Sequence, residues 1–227
     1  MITTVIFDLD DTLYDERDYC RSGLAAVSSL IAQMPSAPPS ERILQVLWDI
    51  FTGGNHKTTF NAALDKLGIG YDERLIAALI DAYRNHAPEL TLPEDSKEVL
   101  EQLRADYSLA LLTDGFLPAQ RLKVEALGIA DYFECIVYTE QLGRQFWKPS
   151  PAGYERILAQ LHAKPENAVY LADNPAKDFI APNKLGCGTI QLARPKRIHN
   201  VPAKTPNAEA QHVIPAITEL PSLLARL

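Results

Sequence analysis

The sequence predicts an α/β protein: a Rossmann-like, doubly wound parallel sheet with an all-helical domain inserted into it. Two observations carry that prediction. Short apolar runs rich in β-branched residues recur along the chain, each ending in a polar cluster, with helical patterns between them. That alternation is how βαβ units are written in sequence. It stops between about residues 15 and 92, where one helical pattern follows another and no convincing strand appears.

Taken in order, the apolar runs cover residues 4–7, ending at Asp8; 107–112, ending at Thr113-Asp114-Gly115; 135–138; 168–172, ending at Asp173; and 189–192. Runs that are apolar at successive positions read as strands buried on both faces. Residues 97–104 place Val99, Leu100 and Leu103 on one helical face, and residues 119–127 do the same with Leu122, Val124 and Leu127 before Gly128 stops the helix. Residues 151–161 start cleanly, with Ser150 as N-cap and Pro151 as first helical residue, and Asn174-Pro175 repeats the device before the next helix. In the interrupted stretch, helices are expected over 18–34, 41–51, 59–67 and 73–86, separated by Pro35 with Pro38-Pro39, by Gly53-Gly54 and by Gly68-Ile69-Gly70. The expected division is therefore a sheet-forming core of residues 1–14 and 93–227 and a helical insert of 15–92. Residues 195–221 are Pro-rich and weakly patterned, and a short helix is expected near 222–227.

Composition sets limits on partners. The chain has 227 residues, 47% hydrophobic and 22% charged, which is ordinary globular usage with enough length to bury a core. Lys and Arg number 22 against 29 Asp and Glu, a formal charge of −7. Such a balance lacks the electrostatic footprint of a nucleic-acid binder and the polybasic segment of a membrane-surface binder. Cys20, Cys135 and Cys187 are scattered and odd in number, which argues against a disulfide framework or a structural zinc site. No basic leader precedes the first carboxylate and no long apolar run occurs. A cytoplasmic protein, monomeric or homodimeric, with no nucleic-acid or membrane partner, is expected.

The strand ends carry the chemistry. Ligands of open parallel sheets bind outside the carboxyl ends of the strands. Asp8 and Asp10, two apart on extended backbone, point the same way, and two acids so aimed repel unless a cation bridges them or one is protonated. Asp173 and Asp178 bring more carboxylate to the same rim, and oxygen donors without nearby His or Cys favour a hard ion such as Mg²⁺. Thr113 offers a hydroxyl, the backbone N–H groups of Asp114 and Gly115 can open toward an anion, and Lys148 supplies a point positive charge just before a helix. Together these are the parts that phosphoryl transfer needs.

At these residues the sequence resembles the haloacid dehalogenase-like hydrolase superfamily. Asp8-x-Asp10-x-Thr12 looks like the first motif of that superfamily, Thr113 with Asp114-Gly115 its second, Lys148 its third and Asp173-x₄-Asp178 its fourth, while the helical insert resembles a type-1 cap of subfamily I. The resemblance implies a Mg²⁺-dependent phosphomonoesterase in which Asp8 attacks phosphorus and Asp10 acts as general acid and then base. Thr113 and Lys148 would hold the phosphoryl oxygens. The ion would be held by the Asp8 carboxylate, the Asp10 backbone carbonyl and Asp173, with Asp178 in support. The implied substrate is a sugar phosphate or nucleoside monophosphate. A phosphomutase could use the same residues, and a phospho-accepting signalling module is a more distant alternative. Two departures stand out: Ala172 replaces the usual glycine before Asp173, and Gly143-Arg144-Gln145-Phe146-Trp147 adds about two residues before Lys148. Asn174 reads first as an N-cap. Tyr14, Arg17, Arg21, Trp48, His56 and Lys57 could reach a substrate but read first as structural, and the histidines at 56, 86, 162, 199 and 212 show no ligand spacing.

Overall fold

The computed structural model describes residues 1–194, 198, 202–203 and 205–227. The expected runs form strands β1 (Thr4–Phe7), β2 (Ser108–Thr113), β3 (Cys135–Tyr138), β4 (Ala168–Ala172) and β5 (Gly188–Leu192). A sixth strand, β6 (His212–Ile214), completes one sheet in the order β3-β2-β1-β4-β5-β6, parallel throughout. The fold class is the predicted one. The sequence reading missed β6, which has only three residues with just Ile214 buried, in the Pro-rich segment where no run of apolar positions announces a strand.

The continuous apolar runs arise because both faces of the sheet are covered. Ile6, Ala110, Leu112, Val137 and Tyr170 share a cluster with Tyr154, Ile157 and Leu158 of helix α7 (Ala152–Gln160). The interleaved residues Val5, Phe7, Leu109, Leu111, Val169 and Leu171 are buried as well. Each such side chain contributes roughly 1.5–3 kcal/mol on transfer from water. Helix α7 approaches the sheet closely: a Cβ added at Gly153 would stand 2.5 Å from Leu112 Cδ1.

Contacts divide the described chain into two compact units, Met1–Glu16 with Leu90–Leu227, and Arg17–Glu89. The second unit contains most of α1 (Glu16–Ile31) with α2 (Ser40–Thr52), α3 (Thr59–Leu67) and α4 (Glu73–Asn85). Leu24, Val27, Ile31, Ile43, Leu47, Ala63, Leu64 and Leu79 form its own core. Arg17 and Arg21 lie against the Trp48 ring, each 5.6 Å from its centre, and His56 packs on Phe51. Those four side chains therefore have packing partners inside the unit. His86 accepts or donates a 2.6 Å hydrogen bond with Ser22 there.

In the first unit, α5 (Glu94–Leu103), α6 (Ala119–Leu127), α7, α8 (Ile180–Leu185) and α9 (Leu220–Leu224) accompany the strands. Three local expectations are corrected. The inward residues of α6 are Ala119, Gln120, Lys123, Val124 and Leu127, with Leu122 only half-buried. No helix starts at Asn174-Pro175: the Asn174 side chain accepts from Ala176 N–H at 3.0 Å to close a turn, and α8 begins at Ile180. The last helix ends at Leu224, earlier than expected. Part of the Pro-rich stretch, including His199, lies outside the described residues. Among the described residues no helix is long and apolar enough to cross a membrane, and Cys20, Cys135 and Cys187 are buried free thiols.

Gly128 ends α6 in the left-handed region at φ 65°, ψ 30°, its N–H bonding back to the last turn, and a Cβ there would meet nothing within 4 Å. Gly128→Ala therefore isolates the backbone cost of that conformation. We expect a loss of about 1 kcal/mol in a urea titration, with the m-value unchanged; no loss would show that the cap is not under conformational constraint.

Candidate active site

The chain runs from β1 to β2 and β3 on one side, then jumps across to β4 on the other. The strand order reverses between β1 and β4, so their carboxyl ends open a crevice. Asp8 follows β1 and Asp173 follows β4, and the Asp8 N–H extends the ladder to Leu171 O at 2.9 Å. The main chain of Asp173 is held in turn by the Gln191 amide of β5, 3.1 Å from its carbonyl. The loop after β1 is fixed by Asp11, which takes φ 53°, a value that Asp tolerates better than most side chains. Its carboxylate accepts from Glu16 N–H at 3.0 Å and Ile198 N–H at 2.6 Å, tying the loop to the first turn of α1.

The two loop acids do not share one partner. Asp8 Oδ1 accepts from Lys148 Nζ at 2.6 Å. Asp10 turns to α6: Lys123 Nζ stands 2.7 Å from Oδ1, Gln120 Nε2 donates to Oδ2 at 2.8 Å, and the Tyr14 hydroxyl donates to Oδ1 at 2.6 Å. The spacing left two ways to relieve the repulsion, a bridging cation or a proton on one acid; in the structure the two side chains turn instead to different lysines. Each carries its own lysine, and the repulsion is relieved pairwise.

Lys148 is the hub of the other side. Its side chain is 1% exposed, and its ammonium bridges Asp8 Oδ1 and Asp178 Oδ1, the latter at 2.8 Å, while the Tyr170 hydroxyl lies 3.0 Å away. Both Asp178 oxygens are engaged by the chain, because Oδ2 accepts from Asn174 N–H at 3.1 Å. Burial alone would drive Lys148 toward neutrality, but Asp178, Asp8 and Asp114 reverse this and hold its pKa well above the usual lysine range. The Asp114 side chain ties three strand ends together. It accepts from Thr139 Oγ1 at 2.8 Å, from the Lys148 backbone N–H at 3.2 Å and from Lys177 Nζ at 3.3 Å.

A cavity of about 230 Å³ is lined by Asp8, Asp10, Glu16, Asp114, Trp147, Lys148, Asp173, Asn174 and Lys177. Thr113, Gly115 and Asp178 are not among the lining residues; the Thr113 hydroxyl accepts from Gln120 Nε2 at 2.5 Å. Oxygens of Asp8, Asp173 and Asp178 lie within 4.8 Å of one another, all three residues buried. Burial, then the charges of Asp8 and Asp178, push Asp173 up to about 9. Asp8 is also raised, by burial first and by Asp178, against the pull of Lys148. Asp10 moves the other way: burial would raise it, but Lys123 and the hydrogen bonds from Lys123, Tyr14 and Gln120 bring it below the ordinary range. Three buried acids this close, with Asp8 and Asp173 driven upward by burial, form a donor set suited to a hard divalent cation.

Glu16, Lys177, Gln120 and Lys123 were not singled out as site residues from sequence. Glu16 is pushed up to about 8 by burial and by the charge of Asp10. Gln120 and Lys123 left one readable signal, two polar residues three apart on a helix directly after Thr113-Asp114-Gly115.

The comparisons with known proteins agree with this geometry. The family model described as haloacid dehalogenase-like hydrolase matches residues 5–192. A glyceraldehyde 3-phosphate phosphatase from Methanopyrus kandleri is 31% identical over 202 residues, 86% of each chain. A ribulose-1,5-bisphosphate 5-phosphatase from Halopiger xanaduensis is 26% identical over 99% of this chain and 100% of its own. The solved structure of the putative hydrolase YfnB from Bacillus subtilis bound to magnesium superposes with a TM-score of 0.69 at 20% identity, covering 98% of both chains. With a matching model across most of its length and the strand-end acids gathered on one cavity, the chain belongs to the haloacid dehalogenase-like hydrolases.

Proposed function

We propose that the chain is a Mg²⁺-dependent phosphomonoester hydrolase acting on a small phosphorylated metabolite through an aspartyl-phosphate on Asp8. The observation that supports this most is convergence: Asp8, Asp10, Asp114, Lys148 and Asp173, drawn from four separate segments, line one cavity. The helical unit, inserted just past Thr12, takes the role of a cap, whose service is to exclude bulk water during transfer.

In this reading an Asp8 oxygen attacks phosphorus, and the bond to the leaving oxygen breaks as Asp10 gives that oxygen a proton. Asp10 then removes a proton from the water that attacks the acyl phosphate, which releases inorganic phosphate and restores Asp8. Lys148 and the Asp114 N–H, on residues that line the cavity, hold the phosphoryl oxygens, and the Thr113 hydroxyl and the Gly115 N–H, on residues that do not line it, assist from the wall behind. Asp178 acts mainly by pinning Lys148. The carboxylates of Asp8 and Asp173 and the Asp10 carbonyl would hold Mg²⁺, with Asp178 beside them. When bound, the ion supplies neutralising charge to the phosphoryl oxygens.

Relatives named for glyceraldehyde 3-phosphate and ribulose-1,5-bisphosphate favour a short sugar phosphate over a nucleoside monophosphate as the substrate. The acidic charge of −7 fits a small-molecule partner and no nucleic acid.

With Mg²⁺ present, the wild type is expected to release phosphate from p-nitrophenyl phosphate. Asp8→Asn should lose at least about a thousandfold in kcat/KM; retained activity in that variant would sink the reading.

A second prediction comes from the raised acids. Asp173 at about 9 and Glu16 at about 8 bind protons in the folded state at pH values where the unfolded chain, with carboxyls near 4, has released them. The sign is therefore a metal-free stability that falls as pH rises from about 4 toward 9. Asp10 and Asp114 are lowered, so their contribution is lost only in more acid solution. In EDTA we expect Tm to drop by roughly 5 °C or more between about pH 5.5 and 8.5. Added Mg²⁺ should stabilise most at the alkaline end. A flat profile without metal would count against the buried-acid account.

A further inference from the structure

Helix α6 buries two polar side chains that the mechanism above does not use, Gln120 at 2% and Lys123 at 3% exposure. An ammonium is retained inside a protein where an anion meets it, and here the anion is Asp10, 2.7 Å from Lys123 Nζ. The Gln120 amide nitrogen reaches two groups at once, Asp10 Oδ2 at 2.8 Å and Thr113 Oγ1 at 2.5 Å. Tyr14 completes the set with its 2.6 Å bond to Oδ1. A carboxylate offers about four acceptor positions on two oxygens. Lys123 and Tyr14 occupy those of Oδ1, and Gln120 occupies one of Oδ2. The remaining position on Oδ2 is the one available to a ligand in the cavity that Asp10 lines.

We propose that Lys123 and Gln120 are positioning residues for proton transfer: with Tyr14 they fix the Asp10 carboxyl so that the open position on Oδ2 meets the leaving-group oxygen. The inference rests on the phosphatase reading and deepens it. In the first step the phosphorus–oxygen bond to the leaving group breaks, and its electron pair stays on the departing oxygen. Against the effect of burial, Lys123 and the hydrogen bonds hold Asp10 ionised at rest, so Oδ2 first takes a proton from the phosphate monoanion; the departing oxygen then takes that proton, and Asp10 is left as a carboxylate again. The negative charge appears beside the Lys123 ammonium, which needs no reorientation to stabilise it. In the second step the proton from the attacking water returns to the same oxygen. Because one amide holds both Asp10 and Thr113, the proton donor and a holder of the phosphoryl oxygens share a support, so a shift in one is felt by the other.

Leaving-group dependence separates this role from a merely structural one. The alkoxide of sn-glycerol 3-phosphate leaves poorly without a proton, whereas the acetate of acetyl phosphate needs none. kcat/KM reports the steps through the first transfer, so it is the quantity to compare. Lys123→Met and Gln120→Met should lower kcat/KM for sn-glycerol 3-phosphate by at least about tenfold, a fraction of what general acid catalysis supplies. The same variants should lower it for acetyl phosphate by less than about twofold. Lys123→Arg should recover part of the loss. Should Lys123→Met fail to fold, Gln120→Met and Tyr14→Phe, which leave the ion pair in place, carry the same comparison. Equal losses on both substrates, or none, would overturn the proposal while leaving the phosphatase reading intact. A wild type that turns over neither substrate would overturn the reading itself and the proposal with it.

Discussion

Lys148 carries a full positive charge into the interior between Asp8 and Asp178, and the arrangement of the carboxyl edge follows from neutralising it. Burying an ammonium without partners costs several kcal/mol. Here two carboxylates stand at 2.6 and 2.8 Å, and the Tyr170 hydroxyl supplies a third oxygen. Asp178 can serve only because Asn174 N–H holds its other oxygen, and Asp114 anchors the Lys148 main chain. Removing any one of these acids leaves a buried cation underpaired, so the motifs are coupled as a network rather than being four separate sites.

The network is deliberately incomplete in charge. The cavity is lined by Asp8, Asp10, Glu16, Asp114 and Asp173 against Lys148 and Lys177, and Lys123 behind Asp10 is matched by Asp178 behind Lys148. An excess of carboxylate remains. Such a cavity repels a phosphate dianion until protons or a cation correct the balance. The raised pKa values of Asp173 and Glu16 are the protonic form of that correction, and a bound divalent ion is the other. An overall acidic chain and an anionic substrate are therefore compatible, because the sign of the field is set at the strand ends and not by net charge.

Much of the fold was legible because of how the sheet is covered. Strands β1, β2 and β4 are packed on both faces, so their sequences are apolar at nearly every position, and such runs stand out; β3 and β5, each partly exposed, still carry short apolar runs. Strand β6 sits at the edge with Val213 exposed and leaves no comparable run. The acids at strand ends were legible only as a series: any one alone could cap a helix or bind water, whereas Asp8 with Asp10, then Thr113, Lys148 and Asp173 with Asp178, follow one another at successive strand ends. Gln120 and Lys123 were not, because polar residues on a helix normally mark its solvent face. The hydrophobic pattern of α6 was read through Leu122, whereas the burial of Lys123 depends on Asp10, more than a hundred residues away in sequence. Glu16 and Lys177 escaped for the same reason. Their place on the cavity is set by where α1 begins and how the Asn174 turn folds, which is tertiary information.

A site of this kind costs stability where it sits, since raised carboxylates and buried cations weaken the fold that holds them. The parallel sheet offsets that cost close by. The residues immediately before Asp8 and Asp173, from Val5 to Phe7 and from Val169 to Ala172, are fully buried, and the two strands are paired with each other in register from Thr4 with Ala168 to Phe7 with Leu171. Two fully buried, paired strands thus end directly in the carboxylate-rich cavity. An acid on a flexible loop could move away from its neighbours and relax toward an ordinary pKa. Asp8 and Asp173 follow paired, buried strands and have little freedom to do so, and that rigidity keeps the acids close enough to need protons or a cation between them.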